Sequence, residues 1–125
     1  MAEKEMTSIN VAVTPTRKSG NEVECDITGN EVVDDALFLA RDRTYDITFT
    51  LDAAATETWN QPNPFCARNG KCPAVNAPPH GHFSIKSVSP KSLTVEARAP
   101  NARSVVHYRL NFSGGGTFDP IIIRD

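Results

Sequence analysis

Hydrophobic and polar positions alternate along most of this chain with a period of two. In SVVHYRLNF, residues 104–112, Val106, Tyr108, Leu110 and Phe112 share one face, while Val105, His107, Arg109 and Asn111 share the other. TYDITFTLD sets Tyr45, Ile47, Phe49 and Leu51 against Asp46, Thr48 and Thr50. SLTVEAR turns Leu93, Val95 and Ala97 to one side, and NEVECDIT does the same with Val23, Cys25 and Ile27. Successive side chains of an extended backbone point to opposite sides, so this alternation predicts strands with one buried face and one wet face. Shorter strands are predicted at 8–13, 36–40, 83–88 and 118–124. No stretch sustains a 3.6-residue period, and the only helix expected is a turn or two near 53–58.

The punctuation agrees with strands. Ser89-Pro90-Lys91 turns one strand into the next, and Ser113-Gly114-Gly115-Gly116 joins the last two as a flexible hairpin. The reading is one all-β domain over 1–125, an immunoglobulin-like antiparallel β-sandwich of 7–8 strands with one long proline-rich loop. Pro120 cannot donate to a ladder, so the final strand is expected to start there or to lie on an edge. An edge position for Ile121–Ile123 would let that strand pair with a second copy, giving a homo-oligomer, or with a partner strand.

From 53 to 82 the rhythm stops, and five of the nine prolines fall within that span. Structureless loops of this length are uncommon in compact domains and tend to be functional or anchored. Trp59 and Phe65 are the anchors expected, and both are candidate partner-binding residues. The loop also holds two of the three cysteines and two of the three histidines. Asn69-Gly70 is a turn signal. A three-residue connection, Arg68-Asn69-Gly70, sets Cys66 directly opposite Cys72. Opposed residues have Cβ atoms about 4.5–5.5 Å apart, close enough for a disulfide after small adjustment. A second reading takes Cys66, Cys72, His80 and His82 as a C-x5-C-x7-H-x-H zinc site, since thiolate and imidazole are the donors zinc prefers. Free thiols are the third. Cys25, inward between Val23 and Ile27, reads as a small core residue.

Charge changes the picture little. Residues 1–60 carry 5 basic and 12 acidic side chains, net −7, and residues 61–125 carry 8 basic and 3 acidic, net +5. The basic residues stand singly with few aromatics among them, which argues against a nucleic-acid groove. No apolar run reaches the length of a membrane span. The first ten residues, MAEKEMTSIN, lack the apolar core of a secretory signal, and an odd cysteine count is unlike a secreted disulfide framework. These two features lead to an expectation of a cytoplasmic protein.

No nucleophile elbow, phosphate-binding glycine loop or dinucleotide fingerprint is present, so no catalytic residue is assigned and the chain is not read as an enzyme. The order YDITFTLD, then a tryptophan and NPFCARNGKCP, then HYRLNF and FDPIIIRD, resembles small uncharacterised bacterial immunoglobulin-like β-sandwich proteins over the last two-thirds of the chain. The resemblance implies the fold and carries over no catalytic or binding residue. The expectation is a non-catalytic binding or assembly module that uses the 56–82 loop and the C-terminal edge strand, with no cofactor. The alternative is a zinc protein built on the loop.

Overall fold

The structure, a computed structural model, describes residues 6–19, 22–34, 36–40, 42–61, 63–67, 83–99, 104–119 and 121–124. Among them there are strands and turns and no helix. The strands are β1 (Met6–Ser19), β2 (Glu22–Thr28), β3 (Val32–Val33), β4 (Ala36–Leu39), β5 (Thr44–Leu51), β6 (Phe65–Ala67), β7 (Phe83–Val88), β8 (Ser92–Ala97), β9 (Ser104–Asn111), β10 (Thr117–Phe118) and β11 (Ile121–Arg124). They form a continuous path in the order β3-β4-β11-β9-β10-β2-β1-β5-β8-β7, with β6 on the other side of β9.

The path folds back on itself. Phe49 of β5 and Tyr108 of β9 are several strands apart along it, yet their ring centroids are 5.9 Å apart. Phe65 of β6 likewise meets Phe83 of β7 at 5.4 Å. The layer β2-β1-β5-β8-β7 therefore faces the layer formed by β6, β9, β11, β4 and β3. One cluster fills the space between them, from Val11, Val13, Ile47, Phe49, Leu93 and Val95 on one side to Leu37, Tyr108, Leu110 and Ile122 on the other. The inward residues are those that the alternation marks.

Pairing is less regular than the pattern predicts. β1 is antiparallel to β2 but parallel to β5, from Met6↔Thr44 to Val13↔Leu51. β11 runs parallel to β4, and β10 touches β2 in parallel at Thr117↔Glu22. The sheet is mixed, which corrects the expectation of purely antiparallel strands. Alternation reports which face a residue occupies and is silent on the direction of the neighbouring strand. The register also explains Pro15 in the middle of β1. β1 parts from β5 after Val13, so Pro15 opposes only Cys25 of β2, and its missing N–H costs no bond to β5.

β11 overturns a second expectation. Ile121–Arg124 is hydrogen-bonded to β9 on one side and to β4 on the other, so the terminal strand is interior to its layer and not an edge. Arg124 then fastens it. Arg124 is 3% exposed, and its guanidinium lies 5.4 Å from the centre of the Tyr45 ring and donates from Nη2 to the carbonyls of Arg43 (2.8 Å) and Arg98 (2.9 Å). Burial pulls its pKa below the ordinary arginine value. Tyr45 in turn accepts a hydrogen bond from the Ala40 amide at 2.9 Å.

Candidate interaction surface

The segment that breaks the alternation is laced to the turn between β7 and β8, to β9 and the residues just after it, and to β1. The Trp59 amide donates to Pro90 O at 3.0 Å, the Asn60 amide to Asn111 O at 3.0 Å, and the Asn111 amide to Pro64 O at 2.9 Å. Ser113 donates from its amide to Thr58 O and from Oγ to Trp59 O. Arg17 grips Glu57 with two bonds, Nε to Oε2 at 3.0 Å and Nη2 to Oε1 at 2.7 Å, and the Glu57 hydrogen bond raises the Arg17 pKa. Lys91 Nζ caps the carbonyls of Ala55 and Glu57. Gly114 and Gly115, both with positive φ, allow the tight turn that brings Ser113 there.

Trp59 and Phe65 sit beneath this lacing, fully buried. Trp59 stacks on Phe112 at 5.2 Å, and Phe65 stacks on Tyr108 at 5.4 Å. With no exposed surface, neither ring can touch a partner in this arrangement. Both act as pegs that hold the start of the loop on the core. Cys66 follows Phe65, is buried and disulfide-bonded, and its sulfur accepts from Asn111 Nδ2 at 3.2 Å. A disulfide sulfur is not the thiolate a zinc site needs. Cys72, His80 and His82 lie outside the described residues. Among the described residues no cluster of His, Cys, Asp and Glu is placed to hold a metal, and no helix is long and apolar enough to cross a membrane. Cys25 is a buried thiol within the core cluster. Tyr108 is also a core residue. Its hydroxyl has no hydrogen-bond partner among the described residues, and burial raises its pKa.

The surface feature that stands out is elsewhere, on the outer face of β3, β4, β11 and β9. Partners in register share a face, so the outer side can be read row by row. One row runs Val33, Ala36, Ile121, His107. The next runs Glu31, Phe38, Ile123, Val105, with the Phe38 amide bonded to Glu31 O at 2.8 Å. Six of these eight residues are apolar. Val33, Phe38 and Val105 are 55%, 42% and 58% exposed, while Ile121 and Ile123 are half-buried. These three are among only four large hydrophobic residues exposed among the described residues; the fourth, Met6, is on β1.

The patch is bordered by charge. Glu31 and Asp34 flank it at β3, and neither makes an ion pair among the described residues. His107 and Arg109 flank it at β9, where Arg109 Nε meets Asp119 Oδ1 at 3.3 Å in an exposed pair. The alternation along the chain gives Val33, Phe38 and Val105 no role. Their signal is there nonetheless: VV at 32–33, ALFL at 36–39, VV at 105–106 and III at 121–123 place apolar residues at adjacent positions, so both faces are apolar. No protein-family model matches this sequence, and comparison with curated proteins gives no match.

Proposed function

We propose that the chain is a non-catalytic binding or assembly module of immunoglobulin-like sandwich type, engaging protein through the outer face of β3, β4, β11 and β9. Two facing layers over a common core and the antiparallel β9–β11 pair support the sandwich assignment. The observation that carries the binding reading is the contiguous apolar face with Val33, Phe38 and Val105 exposed at its centre and ends. Contiguous apolar patches on a soluble domain mark interaction sites, whereas isolated exposed hydrophobic residues do not. The 56–82 loop belongs to the module as a second surface, with Trp59 and Phe65 holding its base in place. The half-cystine at Cys66 supports an oxidising setting over the cytoplasmic one expected from the N-terminal residues.

The test uses an environment-sensitive apolar dye on dilute, fully folded protein. Wild-type protein binds the dye, and Phe38→Ser with Val105→Ser abolishes the signal while the thermal midpoint stays put. A folded wild type that leaves the dye unbound, or a double variant that binds it equally, sinks this reading.

A further inference from the structure

We draw no further inference here: the strongest candidate, the apolar outer face of β3, β4, β11 and β9, carries nothing beyond the binding reading above because nothing in the structure shows what covers it.

Discussion

The two layers of this protein have similar insides and opposite outsides. Inward, Ile47, Phe49, Leu93 and Val95 in one layer meet Leu37, Tyr108, Leu110 and Ile122 in the other, all essentially sealed from solvent. Outward, the β1-β5-β8-β7 layer is built for water. Thr48 and Thr94 share a hydroxyl contact at 3.1 Å across paired strands, Lys86 reaches Asp46 at 3.0 Å, and Arg98 meets Glu96. The corresponding outer surface on β4, β11 and β9 carries Phe38, Ile123 and Val105. The inner faces explain why the chain folds. Only the outer faces differ, one polar and the other carrying exposed apolar side chains. Exposed cross-strand polar pairs contribute little to stability, so the polar outer face reflects solubility more than fold.

If that division holds, inner truncations cost the same on either layer. Phe49→Ala and Trp59→Ala are each expected to destabilise by about 3–5 kcal/mol, and Ile122→Ala by about 2–5 kcal/mol, in urea unfolding. A loss below 1 kcal/mol at Ile122 shows that the second layer has no core of its own weight. Reduction of the Cys66 disulfide is expected to remove roughly 2 kcal/mol, read as a shift of the urea midpoint with and without reductant. Intact mass without reductant should show the deficit of one hydrogen pair.

Tyr108 tests the interface between the layers. Its hydroxyl is buried without a partner among the described residues, so Tyr108→Phe should be neutral or stabilising by up to about 1 kcal/mol. The pH dependence follows from the raised pKa of the folded phenol. Above the ordinary tyrosine value of 10.0 the unfolded chain ionises while the folded one stays neutral, so wild-type stability falls as pH rises beyond that point. The Phe variant should fall less steeply, and parallel curves would show that Tyr108 is not the group responsible. The smallest effect is the most telling for the comparison. Thr48→Val with Thr94→Val should change stability by under about 0.5 kcal/mol. It should also give the polar layer a dye-binding patch it did not have. No gain in dye binding there means that apolar composition alone does not make such a face adhesive.

The alternation made most strands and their inward residues legible, from Val23, Cys25 and Ile27 to Leu93, Val95 and Ala97, because burial on one side and water on the other writes itself into every second position. It could not reveal that β1 lies parallel to β5 or that β11 sits between β4 and β9, since neighbours are chosen by the whole chain. β3 and β6, two and three residues long, are too short to carry a period. Trp59 was legible as an anchor. Its complete burial was not, because that depends on long-range bonds of residues 58–60 to Pro90, Asn111 and Ser113, which no alternation pattern encodes. The apolar outer face was present in adjacent hydrophobic pairs, which signal strands with no wet side.

The interior position of β11 also sets the order of events when the protein forms. Its strand partners are residues 36–39, near the start, and residues 104–107, close to the end. As the chain is synthesised, β3 and β4 emerge early and can form only a two-stranded scrap, too small to persist alone. The slot between β4 and β9 is filled only when the last strand arrives, and Arg124 then bolts it to the carbonyls of Arg43 and Arg98. Contacts between such distant parts of a chain form slowly. Until then Leu37 and Leu110 are uncovered along with the apolar outer face, and that interval is when the chain most depends on being kept apart from its neighbours.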